Sequence, residues 1–170
     1  MRTRCIFNGV TIFAWTGLML FFSCKDHGGS LTPAETLVVR DSVQQMLRAI
    51  AADISQHGPT AWIEYFDNTQ EFFMASDGQL AFTNKDSMAS FLKNTYAKGL
   101  QNIVLTWNDV RIDPYTMSIA GVAAKFDEKI KDTSGKMTSF EGYFTAIAQQ
   151  KSPVWRLRNA HWSIAKPPAN

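Results

Sequence analysis

His161 is the side chain best suited to acid–base chemistry. An imidazole titrates near neutrality, so on a pocket wall it can act as a general base or hold an oxyanion or a carboxylate. Strict alternation along the last segment puts Asn159, His161 and Ser163 on the face that carries Trp155 and Leu157, which points to burial. That placement requires that no bulge intervenes, and the alternative is a structural histidine bonded to a backbone carbonyl. Two carboxylates can do related work. Glu141 alternates with Tyr143, Met137, Ser139, Thr145 and Ile147, and Asp109 with Trp107, Leu105 and Ile103. A carboxyl buried on such a face has a raised pKa, which is how a general acid is made. The competing placement is the sheet rim, solvated or paired with Arg111, Arg156 or Arg158, because acids are rarely fully buried. Among the aromatics, Trp62, Phe66, Trp107 and Tyr143 join His161 as candidate ligand-binding walls, with simple core packing as the alternative reading.

Other chemistries find little support. His27, His57 and His161 lie far apart, and none forms a spaced cluster with Cys or acids, so no metal is expected. No glycine-rich phosphate loop and no serine nucleophile motif is present, and no cofactor is expected. Without Arg2 and Arg4, fifteen basic residues balance fifteen acids, and no Lys/Arg stripe appears. Nucleic acid is therefore not an expected partner.

Arg2 and Arg4 precede an apolar run at residues 6–22, then Ser23 and Cys24, which is the layout of a secretory signal. Cys5 falls inside that signal, so a cut before Cys24 would leave one cysteine, as the first mature residue. This resembles a bacterial lipoprotein. The run Leu20-Phe21-Phe22-Ser23-Cys24 departs from the usual lipobox at Phe21 and Phe22, and an uncleaved N-terminal anchor is the alternative. The expectation is a signal at 1–23, a flexible tether at 24–30 and one domain at 31–166, held on a membrane through lipid on Cys24. Lys25, rather than Asp, follows Cys24. By resemblance to the sorting rule of Gram-negative lipoproteins, that leans toward the outer membrane of the cell envelope.

The elements that must position these residues can be read in order. Thr32-Pro33-Ala34-Glu35 is a capping-box helix start, and Val39, Val43, Met46, Leu47, Ile50 and Ile54 make one apolar stripe before Gly58-Pro59 ends the helix. A short second helix carries Trp62, Ile63, Tyr65 and Phe66. Segments 71–75 and 80–82 flank Asp77-Gly78, a tight-hairpin signal. A third helix capped by Thr83 or Asn84 turns Met88, Phe91, Leu92 and Tyr96 inward and closes at Gly99. Long strands follow at 103–112, 116–130, 137–149 and 154–164, separated by Asp113-Pro114 and two further turn segments. Strands this long bend, and bulges are expected. The class is α+β.

This order, with Trp62-Ile63-Glu64-Tyr65-Phe66, the Asp77-Gly78 hairpin and the ending Trp155-Arg156-Leu157-Arg158-Asn159-Ala160-His161-Trp162-Ser163, resembles the nuclear transport factor 2-like superfamily, in its SnoaL-like bacterial branch. The resemblance covers roughly residues 31–164. It implies a cone, three N-terminal helices packed on a curved antiparallel sheet, with an enclosed pocket and often a homodimer built on the outer sheet face. It does not imply one activity, since the superfamily includes isomerases, dehydratases, cyclases and transport adaptors. The isomerase-type catalytic set has no match. Phe72, Phe73 and Met74 stand where a general-base Asp is expected, Asp77 lies in the turn, and the first helix has no Tyr. The expected function is a lipid-anchored, non-catalytic domain binding a small apolar or aromatic molecule. The alternatives are a proton-transfer isomerase, dehydratase or cyclase, and a module that pairs two copies or a partner through the outer face with Trp162.

Overall fold

The computed structural model describes residues 30–165. Helix α1, Pro33–His57, starts as its sequence dictates. The Thr32 hydroxyl accepts from the Glu35 N–H at 3.3 Å, and the Glu35 carboxylate accepts from the Thr32 N–H at 2.9 Å. Its six buried residues are the expected stripe: Val39, Val43, Met46, Leu47, Ile50 and Ile54. Helix α2 is one turn, Trp62–Tyr65. Strands β1 (Met74–Ser76) and β2 (Gln79–Phe82) form the hairpin, with both Asp77 and Gly78 at positive φ, as a tight two-residue turn requires. Helix α3, Lys85–Phe91, is capped by the Asn84 side chain and passes into a π-helical turn, Leu92–Tyr96.

Four long strands follow: β3 (Leu100–Thr116), β4 (Ile119–Asp132), β5 (Met137–Lys151) and β6 (Val154–Ile164). The six-stranded sheet has the order β2-β1-β6-β5-β4-β3. It is mixed rather than purely antiparallel, because β1 pairs parallel with β6, setting Ala75 beside His161. The hairpin and β6 are far apart in the chain, so no short turn dictates their relative direction. Asp113-Pro114 does not turn the chain. Both residues lie inside β3, and the turn falls at Met117-Ser118. Pro114 is tolerated there because β3 is an edge strand, where a missing N–H need not break a ladder.

The helices cover one face of the sheet. α1 is fastened to β3 by the Trp107 indole N–H donating to the Leu47 carbonyl at 2.9 Å and by Arg40 donating to the Ile112 carbonyl at 3.3 Å. The core between helices and sheet is an aromatic cluster of Trp62, Phe66, Trp107, Phe126, Phe144 and Trp162.

Bulges within β3 and β6 reset which face these strands present. In β3 the register shifts between Asn108 and Arg111, opposite only Lys125 to Ala123, and Asp109 takes φ 46°. In β6, Asn159 pairs with Ile147 and Leu157 with Ala148, so Arg158 is an extra residue. Beyond each bulge the alternation inverts.

Candidate ligand-binding site

The inner face of the sheet does not close completely. Between the hairpin, α3 with its π-helical turn, and strands β4 to β6 lies a cavity of about 490 Å³. Trp62, Phe66 and Trp162 line its deep side, where they join the aromatic cluster. Phe82, Phe91 and Tyr96 line the α3 side. Phe82 and Phe91 sit 5.4 Å apart, and Phe91 stacks on Tyr96 at 6.1 Å. Phe140 and Ile130 come from the sheet.

One carboxylate enters this apolar lining. Glu128 is on β4, paired across to Leu105 and Phe140, and alternates with the buried Phe126 and Ile130. It is only 8 % exposed. Burial pushes its carboxyl up to about 7, against the opposing effect of a long hydrogen bond, 3.5 Å, that Oε1 accepts from the Tyr96 hydroxyl. Tyr96 is itself raised well above an ordinary phenol, first by burial and then by the Glu128 charge. The π-helical turn is the local irregularity that brings Tyr96 there, and such turns recur at functional sites. The pair can hold or pass a proton near neutral pH, or present a charge to a bound molecule.

The structure divides the residues expected from sequence. Trp62 and Phe66 line the cavity. Trp107 packs behind it, against Trp62, Phe144 and α1, and is not part of its wall. His161 is not on the buried face with Trp155 and Leu157. The Arg158 bulge turns Trp155, Leu157, Ala160 and Trp162 inward and leaves Asn159, His161 and Ser163 outward. Trp162, expected opposite His161 on the outer face, therefore lines the cavity instead. Asp109 likewise leaves the face of Trp107. At its bulge it turns to solvent and pairs with Lys125 at 2.8 Å. The hydrogen bond and charge of that ammonium hold the Asp109 carboxyl below the usual range. Glu141 and Tyr143 are exposed on the outer face, Tyr143 at 52 %, with the Lys125 ammonium 6.0 Å from its ring.

Glu128 and Tyr96 were not among the expected site residues. A signal for Glu128 was present: it is the one acid in the alternating row Ala120, Val122, Ala124, Phe126, Glu128, Ile130. Among the described residues no cluster of His, Cys, Asp or Glu could hold a metal ion, and no helix is long and apolar enough to cross a membrane. Cys24, the segment 1–23 expected to be a signal and most of the expected tether lie outside the described residues, as does residue 166.

No family model matches the chain, and no curated protein matches it. Solved structures do. A nuclear transport factor 2-like superfamily protein from Salmonella enterica superposes with a TM-score of 0.67 at 14 % identity, over 78 % of this chain and 95 % of the other. The chain has the nuclear transport factor 2-like fold. A candidate scytalone dehydratase from Novosphingobium aromaticivorans gives 0.69 at 12 % identity, over 79 % of this chain and 89 % of the other. A hexachlorocyclohexane dehydrochlorinase from Novosphingobium barchaimii gives 0.64 at 7 % identity, over 79 % and 92 %. At such identities the nuclear transport factor 2-like fold is what is shared, and the site must be argued from its own residues.

The outer face of this fold has a second, shallower concavity of about 460 Å³. Arg111, Ala123, Thr145 and His161 form one row across it, in register from β3 to β6. Tyr115 lies over Gly121, where a Cβ would meet its hydroxyl oxygen at 2.6 Å.

Proposed function

We propose that this domain binds a small, mostly apolar molecule in the inner cavity. The observation that carries the proposal is an unfilled space of about 490 Å³, walled by aromatic and aliphatic side chains around one buried carboxylate. Pockets that take small molecules run from ~300 to 1,000 Å³ and have this composition, apolar with a few placed polar groups. Titration of the purified chain with apolar aromatic probes, followed by tryptophan fluorescence, tests it, since Trp62 and Trp162 border the space. Saturable binding that Ala81→Phe blocks at the cavity edge is the expected result. Absence of saturable binding across such a series would remove the proposal.

A second reading is proton-transfer catalysis centred on Glu128 rather than on His161, Glu141 or Asp109. Its support is a carboxyl that titrates near pH 7 beside a phenol. Two structures of similar fold are named as a dehydratase and a dehydrochlorinase. Against it, among the described residues no His, Lys or Arg lines the cavity to act as Glu128's partner. Any turnover found by substrate screening should vanish in Glu128→Gln, and turnover that survives would end this reading.

The proposal extends to location. Arg2, Arg4, the apolar run and Cys24 support a lipid-anchored envelope protein, leaning toward the outer membrane. Labelling of cells with a clickable fatty acid should tag the chain, and Cys24→Ser should abolish the tag. If two copies pair, the outer face with Phe73, Tyr143 and Ile147 is the surface available, and sedimentation of the purified chain tests that.

A further inference from the structure

We infer that the ligand of the inner cavity is an organic cation, an amine or quaternary ammonium carried on an apolar body. This rests on reading that space as a binding cavity and names the chemistry it selects. Charge is the first support. Among the described residues Glu128 is the single acid of the lining, and no Lys, Arg or His contributes to it. Lys85, at the start of α3, donates to the Phe66 carbonyl at 2.7 Å and is not part of the wall. A carboxylate ligand would meet Glu128 with no cation to offset the repulsion. A neutral apolar ligand would leave a desolvated carboxyl with no partner beyond the long bond from Tyr96, which is costly.

Glu128 has unused capacity for a cation. Its Oε1 accepts only the long 3.5 Å bond from Tyr96, and its Oε2 has no hydrogen-bond partner among the described residues. An ionised carboxylate offers about four acceptor positions. The rings are the second support. Tyr96, Phe91, Phe82, Phe140 and Trp162 border the same space, with Phe91 and Tyr96 nearly parallel at 16°. Ring faces attract ammonium groups, more strongly when water is excluded. A carboxylate inside an aromatic enclosure therefore answers both halves of an organic cation, its charge and its apolar body.

The sign of the pH effect follows. Among the described residues Tyr96 is the only other titratable group lining the cavity with Glu128, and burial holds its phenol further above neutral pH. A bound cation favours the ionised carboxyl, so binding releases the proton that Glu128 holds below about pH 7. Affinity for a permanent cation should therefore rise from pH 5.5 to pH 8.

The test compares probes of similar shape on the purified chain: 2-phenylethylamine, benzyltrimethylammonium, 2-phenylethanol and 3-phenylpropanoate, read by calorimetry at both pH values. At pH 8 each cation should bind about tenfold more tightly than the alcohol, a gap of ~1.4 kcal/mol, and the propanoate should bind most weakly. Benzyltrimethylammonium has a fixed charge, so its weakening at pH 5.5 reports Glu128 alone. Glu128→Gln, which keeps the shape of the side chain, should bring the cations level with the alcohol without weakening the alcohol. Phe140→Leu should weaken benzyltrimethylammonium more than the alcohol. If the alcohol or propanoate binds as well as the cations, or if the preference survives Glu128→Gln, the charge assignment is wrong while the cavity still binds. If no probe binds, the cavity reading falls and this inference with it.

Discussion

On β5 the inner face presents Gly142, Phe144, Ala146 and Ala148, all buried, while the outer face presents Glu141, Tyr143, Thr145 and Ile147, all exposed. The backbone is the same, and the side chains differ only in which way the pleat sends them. A polar group on the outer face can be met by water or by a neighbour, as Lys125 meets Asp109. On the inner face Glu128 has only the long bond from the Tyr96 hydroxyl, and burial drives it toward its neutral form. The same kind of residue is therefore unremarkable on one side of the sheet and a candidate for function on the other.

The largest expected contrast is between adjacent residues of β5. Phe144 is fully buried against Trp62, Trp107 and Trp162. Phe144→Ala should cost about 3–5 kcal/mol in urea unfolding. Tyr143→Ala should stay within ~0.5 kcal/mol, as for other exposed positions. Equal effects would mean that the outer face is covered in solution.

Next comes Glu128. Its folded-state pKa, about 7, lies above the ordinary carboxyl value of 4.5. Stability tied to the neutral form is fully present below pH 4.5, declines as pH rises, and is gone above about pH 7. Glu128→Gln should therefore match the parent protein near pH 4 and exceed it at pH 8, by on the order of 3 kcal/mol. A variant no more stable at pH 8 than its parent would place Glu128 in water.

The glycines give a smaller contrast. At Gly142 a Cβ would lie 1.9 Å from the Ser163 carbonyl oxygen and 2.7 Å from the Phe126 ring. Backbone cannot yield there, and Gly142→Ala should cost about 1–3 kcal/mol. At Gly121, on the outer face, the Cβ would meet only the end of the exposed Tyr115 side chain, so Gly121→Ala should cost clearly less. Smallest of all is His161→Ala, which should leave melting temperature and probe affinity in the inner cavity unchanged. A loss of affinity would join the two faces.

What was legible followed local rules. The α1 stripe and its capping box need only the helical period and three-residue spacing, and all six expected core residues are buried. Asp77-Gly78 needs only the φ tolerance of a two-residue turn. The failures at His161, Trp162 and Asp109 share one cause. Period-two alternation does not survive positions where one extra residue inverts it, and nothing in Arg158-Asn159 or Asn108-Asp109 announces which residue is extra. Glu128 differs. Its alternation was regular and readable, but the row could equally have faced water at that end of β4.

The sequence by itself determined the first helix, the hairpin turn and the order of helices and strands that makes the class α+β, because helical period, caps and turn residues act within a few residues. The tertiary structure decided which face each long strand shows after its bulge, that β1 lies parallel to β6, and that α3 and its π-helical turn cover Glu128 instead of leaving it wet. Those outcomes depend on contacts between segments distant in the chain, and burial is a property of the assembled neighbours rather than of the residue buried.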